Sequence, residues 1–129
     1  MAEIESFVSE HATCTSMSLR PNDPDEEWVG KEWGIKERGV CYDENRAGIN
    51  LLVVGDMKTF QAQAKKQRRA YFVGKNFAVY AGSPTLLTAL QDSGLLYLLC
   101  KDRGKIPSGF KKEPALVDGC VLTNYAHGF

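Results

Sequence analysis

The residues that could bind a metal or act as nucleophiles are few: His11, Cys14, Cys41, Cys100, Cys120 and His127. His11-x-x-Cys14 has ligand spacing, but one pair falls short of the four donors that a structural zinc site needs. A cysteine nucleophile needs a lowered thiol pKa and a base within reach. Asp43 and Glu44 follow Cys41 closely, and Cys100 ends the apolar run from Leu95; both settings raise a thiol pKa. No glycine-rich phosphate loop, serine elbow or paired-carboxylate motif is present. These residues predict a protein that is not an enzyme and holds no metal or cofactor. None of the four cysteines sits in a C-x-x-C pair. The opening Met1-Ala2-Glu3-Ile4-Glu5 is acidic and has no apolar h-region. Four reduced thiols and a cytoplasmic location are the expectation.

Charge carries more information. Sixteen basic and sixteen acidic residues cancel. This excludes a molecule-wide basic field for non-specific nucleic-acid capture. Any electrostatic partner must meet a local patch. Lys65, Lys66, Arg68 and Arg69 form one basic patch, and Lys101, Arg103, Lys105, Lys111 and Lys112 form another. Such runs are either solvated surface or a contact for an acidic protein or a phosphorylated lipid headgroup. Four aromatic residues are concentrated towards the chain ends: Phe7, Trp28, Tyr125 and Phe129. They are either core or the walls of a groove for a proline-rich helix.

The elements that must position these residues follow from periodicity. Ile4, Phe7, Val8 and His11 fall on one face of a helix over residues 3–12. Residues 20–27 form an acidic, proline-broken loop. Short strands are expected around Trp28-Val29, Trp33-Gly34-Ile35 and Val40-Cys41-Tyr42. Residues 49–54 read as a buried strand, which the propensity of Leu-Leu-Val-Val favours, or as part of a helix begun at Asn45; a short apolar run does not decide between them. Ala70–Val73 and Phe77–Tyr80 flank Gly74-Lys75-Asn76 as a hairpin. Ser83-Pro84 can open a short helix, or residues 85–90 can form another strand, and Leu95–Cys100 is a central strand. Val117, Val121 and Tyr125 fall four apart, which predicts a last helix from Pro114 to Ala126. No segment approaches the ~20 apolar residues of a membrane-spanning helix. The length of 129 residues suits a single domain.

Two fold readings remain. With 49–54 as a strand, residues 49–100 give a ferredoxin-like βαββαβ order. That order invites a nucleic-acid-binding function, although Lys75–Tyr80 lacks the aromatic at the fifth position of the RNA-recognition pattern and Leu51–Gly55 lacks its aromatic, which leaves no base-stacking platform. The second reading rests on resemblance. Glu5–His11, Trp28-Val29, Gly48–Asp56, Tyr71–Val79, Leu95–Leu99 with Lys101–Gly104, Lys111-Lys112 and the terminal Phe129 follow one another in an order that resembles the profilins, a family of small actin-binding proteins. Ile4 stands where most profilins carry a tryptophan.

The resemblance implies an α+β fold: a central antiparallel sheet with the N- and C-terminal helices packed on one face. It implies a monomer, cytoskeleton-associated, that binds monomeric actin and regulates its polymerisation. The implied actin contacts are Phe60, Lys75, Arg103, Lys105, Lys111 and Lys112. It further implies a polyproline groove from Phe7, Trp28, Tyr125 and Phe129, and a phosphoinositide-binding basic surface. The alternative to all of these is a protein-interaction adaptor of another kind.

Overall fold

The computed structural model describes residues 2–19, 33–67, 71–81, 84–91, 93–100 and 106–125. The expected loop at 20–27 and the strand at Trp28-Val29 lie outside them. The elements run α1 (Ala2–Ser9), β1 (Thr15–Leu19), β2 (Ile35–Tyr42), β3 (Gly48–Val54), α2 (Met57–Gln67), β4 (Phe72–Val73), β5 (Phe77–Ala81), α3 (Pro84–Gln91), β6 (Leu96–Leu99), β7 (Lys112–Pro114) and β8 (Val121–Thr123). The strands form one sheet in the order β1-β2-β3-β5-β4-β6-β8-β7. Every neighbouring pair is antiparallel. The fold is therefore α+β around a large antiparallel sheet.

Both faces of this sheet are covered. Strand side chains alternate between faces, so β3 sends Ile49 and Leu51 to one core and Leu52 and Val54 to the other. The first core also holds Ile4 and Val8 from α1, Leu86 and Leu90 from α3, Phe72 and Tyr97. The second holds Phe60 and Ala64 from α2, with Trp33, Tyr71, Val73, Ala78 and Leu98. Each helix buries an i, i+4 pair: Ile4 and Val8, Phe60 and Ala64, Leu86 and Leu90. Fully burying a side chain the size of Leu90 or Phe60 stabilises by ~1.5–3 kcal/mol.

Residues 49–54 are thus a strand. The run is apolar without alternation because it is buried on both sides, the one case that periodicity cannot separate from a buried helix. The elements from β3 to β6 follow the strand-helix-strand-strand-helix-strand order expected over 49–100. In the sheet those strands lie β3-β5-β4-β6, and β1, β2, β7 and β8 extend them on both edges.

Two sequence expectations are corrected. The described part of 114–126 contains no helix. Pro114 ends β7 and Val121–Thr123 form β8, held against β6 through Tyr97↔Thr123, Leu98↔Leu122 and Leu99↔Val121. The fourfold spacing of Val117, Val121 and Tyr125 is overridden by this long-range pairing. The N-terminal helix consequently shares its face with α3 and not with a C-terminal helix. The cysteines are also paired rather than reduced: Cys14 bonds Cys41 and Cys100 bonds Cys120. Cys14 and Cys41 belong to the α1 core, and Cys120 with Cys100 to the α2 core. Each face thus carries one disulfide.

Candidate interaction surface

The surface begins with α2. Asp56 stands just before the helix, and its Oδ1 accepts the Thr59 N–H at 3.1 Å. This is an N-cap, which satisfies a backbone donor that the first turn leaves open. The Thr59 amide is also the main reason that the Asp56 carboxyl is held below its ordinary 3.8. The cap fixes the helix start, and Phe60, Gln61 and Ala64 turn inward. Lys58, Lys65 and Lys66 are then exposed, and α2 carries no acid. On the other side of the sheet α1 carries Glu3 and Glu5, with Glu10 just beyond it, and no basic residue. The two outer layers are oppositely charged.

Packing across α2 holds the C-terminal strands in place. Gln61, itself buried, accepts the Leu116 N–H through Oε1 at 2.8 Å. Lys65 Nζ donates to the Asp118 carbonyl at 2.7 Å. Lys111 N–H donates to Asn124 Oδ1 at 2.8 Å, and Lys111 Nζ lies 3.3 Å from Glu113. That last pair is exposed, so it contributes ~0–1 kcal/mol.

Each expected site residue can now be placed. Phe60 is fully buried, its ring 5.9 Å from Trp33 and 5.0 Å from Tyr71. It is core and offers no surface to a partner. Lys75 is exposed in the β4–β5 turn, where Val54 N–H donates to the Asn76 carbonyl at 2.9 Å. Lys111 and Lys112 are exposed at the β7 edge. The pairings Val73↔Ala78, Val73↔Leu96, Tyr97↔Thr123 and Lys112↔Thr123 put Lys75, Lys111 and Lys112 at one end of the sheet. Three strand spacings separate Lys75 from Lys112, about 14 Å. The α2 helix begins at this same end, which adds Lys58. Arg103, Lys105, Trp28 and Phe129 lie outside the described residues.

Of the expected polyproline residues, the two that are described, Phe7 and Tyr125, are not brought together. Phe7 is half-buried and packs on Phe77 of β5 at 5.9 Å and on His11 at 5.2 Å. Tyr125 follows β8 and packs on Phe110 at 4.6 Å. Between β5 and β8 lie β4 and β6, so about 14 Å of sheet separates the two aromatic pairs. The shallow groove beside Phe7 is otherwise lined by Ala2, Glu3, Ser6 and Glu10.

A second concavity of about 260 Å³ lies at the opposite end, lined among others by His11, Thr13, Asp43, Glu44 and Leu86. Its Asp43 carboxylate is committed to the turn: Oδ1 accepts the Asn45 and Ala47 N–H groups, each at 2.8 Å. Among the described residues no group of three or more His, Cys, Asp or Glu is placed to hold a metal ion, and no helix is long and apolar enough to cross a membrane.

Sequence reading missed Lys58 and the Gln61–Leu116 contact. Lys58 and Lys65 are seven apart, two helical turns, so their alignment was available once a helix over 57–67 was accepted. The Gln61 contact spans 55 residues and had no local signal. Comparison with family models, with curated proteins and with solved structures finds no match to this chain.

Proposed function

We propose that this protein is a binding module that docks an acidic protein surface through its basic side. The observation that carries the proposal is the segregation of charge: Lys58, Lys65 and Lys66 on α2, with Lys75, Lys111 and Lys112 at the sheet end where α2 starts. Glu3 and Glu5 on the outer helix of the opposite layer, with Glu10 just beyond it, are acidic. A chain of zero net charge thereby acquires one attractive face for an anionic partner. Contacts of this kind speed association and weaken as salt screens them.

Monomeric actin is the partner that the sequence resemblance nominates, and the basic sheet end supports it through Lys75, Lys111 and Lys112. Regulation of actin polymerisation by sequestering monomer is the corresponding activity. The paired cysteines fit an oxidising setting better than the cytoplasm expected from the sequence, so the test uses oxidised and reduced chain. In a pyrene-actin polymerisation assay with this protein in excess, the proposal expects slowed nucleation and a complex on sizing. Unchanged polymerisation and no complex in either redox state would remove actin as the partner.

A further inference from the structure

We propose that Cys100–Cys120 is a thiol-exchangeable latch that fastens the C-terminal edge of the sheet, while Cys14–Cys41 is inert. The inference needs no partner and stands apart from the binding proposal. Cys100 lies one step beyond the pair Leu99↔Val121, directly opposite Cys120 on the neighbouring strand. Cys100 is half-buried at the strand end. Cys41 has no exposed surface and Cys14 is buried beside it in the α1 core. Thiol–disulfide exchange needs access to a sulfur, so an attacking thiolate meets Cys100 first.

What the latch holds is a short edge of the sheet. β7 and β8 are three residues each, and β8 meets β6 through three residue pairs. Such short edge strands are marginal alone. The ties of this edge to α2 include two single hydrogen bonds, Leu116 to Gln61 and Lys65 to Asp118, and the packing of Ala115, Val117 and Leu122 on the α2 core. The segment between the two cysteines includes Lys101, Arg103, Lys105, Lys111 and Lys112. Opening the bond therefore loosens the β7 edge that carries Lys111 and Lys112 and uncovers Gln61.

The exchange balances with a small monothiol as reductant. Its thiolate attacks Cys100 Sγ, the S–S bond breaks, and Cys120 leaves with the electron pair and takes a proton from water. A second monothiol attacks the outer sulfur of the mixed disulfide, releasing Cys100 and the oxidised monothiol dimer. Two monothiols supply the two electrons.

The test is graded reduction of the full chain with glutathione, read by differential alkylation with mass spectrometry and by amide hydrogen exchange. Cys100 and Cys120 should be alkylated before Cys14 and Cys41. Exchange at 112–113 and 121–123 should then rise roughly 250-fold, the loop-closure effect of a 20-residue separation, while β3, β5 and α2 keep their protection. The Cys100→Ser, Cys120→Ser double variant should reproduce that pattern without reductant. Simultaneous opening of both disulfides, earlier alkylation of Cys14 and Cys41, or reduction of Cys100–Cys120 without local exchange would each overturn the proposal. Because the wild-type chain reads the order directly, the outcome does not depend on the variant folding.

Discussion

Replacing Gly34 with alanine should destabilise the protein much more than the same change at Gly94. Both glycines have positive φ, +64° and +95°. A Cβ in the left-handed region costs ~1–2 kcal/mol, and the stiffer unfolded chain returns ~0.4–1 kcal/mol. At Gly94 a Cβ would meet nothing within 4 Å, so the net loss there is about 0.5–1 kcal/mol. At Gly34 the Cβ would lie 2.8 Å from the Asp56 carbonyl oxygen and 3.2 Å from the Asp56 Cβ. These atoms cannot easily withdraw, because the Gly34 carbonyl accepts the Gly55 N–H at 2.8 Å and the Asp56 N–H at 3.2 Å. Forcing extra volume into such a contact adds ~1–3 kcal/mol, for a total of about 1.5–4 kcal/mol. The assay is urea unfolding followed by intrinsic fluorescence, to which buried Trp33 contributes. With an m-value of ~2 kcal/mol/M, Gly34→Ala should lower the midpoint by about 1 M or more, and Gly94→Ala by less than half of that. Equal midpoints, or a larger loss at Gly94, would refute the close approach of β2 to the start of α2.

Further predictions concern single side chains. Phe60→Ala should cost ~3–5 kcal/mol of stability, and its effect on any partner should track the unfolded fraction; a loss of binding at unchanged stability would make Phe60 a contact. The Asp56 carboxyl is held low, chiefly by the Thr59 amide, so its stabilising contribution is present above its ordinary 3.8 and is lost as the pH falls through the folded value. Asp56→Asn keeps a capping oxygen, and its acid-unfolding curve should be flatter below about pH 4 than that of the wild type. Burial pushes the Tyr97 phenol above its ordinary 10.0, so the stability that it contributes is complete below that pH and is lost as the pH rises through the folded value. An ultraviolet titration should show Tyr97 among the late-ionising tyrosines, and Tyr97→Phe should shrink the late step by one tyrosine.

Local signals made the middle of the chain legible. Gly74-Lys75-Asn76 between two β-rich runs marks the β4–β5 hairpin, Pro84 opens α3, and Leu95–Cys100 contains β6. The edges were less readable. β1 is Thr-Ser-Met-Ser-Leu, largely exposed, and its one short alternation, Met17 and Leu19, is too brief to announce a strand. β7 and β8 exist because they pair with β6, which no local spacing records. Cysteine spacing hid both disulfides, since each joins residues 20 or more positions apart. For the surface, residue type located Lys65, Lys66, Lys75, Lys111 and Lys112. Only the sheet order could tell that Lys75 and Lys112 share an end and that Phe7 and Tyr125 do not share a groove.

Sedimentation velocity of the oxidised chain with monomeric actin asks directly whether the basic side docks an acidic protein. At low ionic strength a complex should form, weaken as salt is raised, and disappear when Lys75, Lys111 and Lys112 are all changed to Glu, while Glu3→Lys with Glu10→Lys leaves it intact. No complex at tens of micromolar protein and low salt, or a complex indifferent to reversal of the three lysines, would contradict the account.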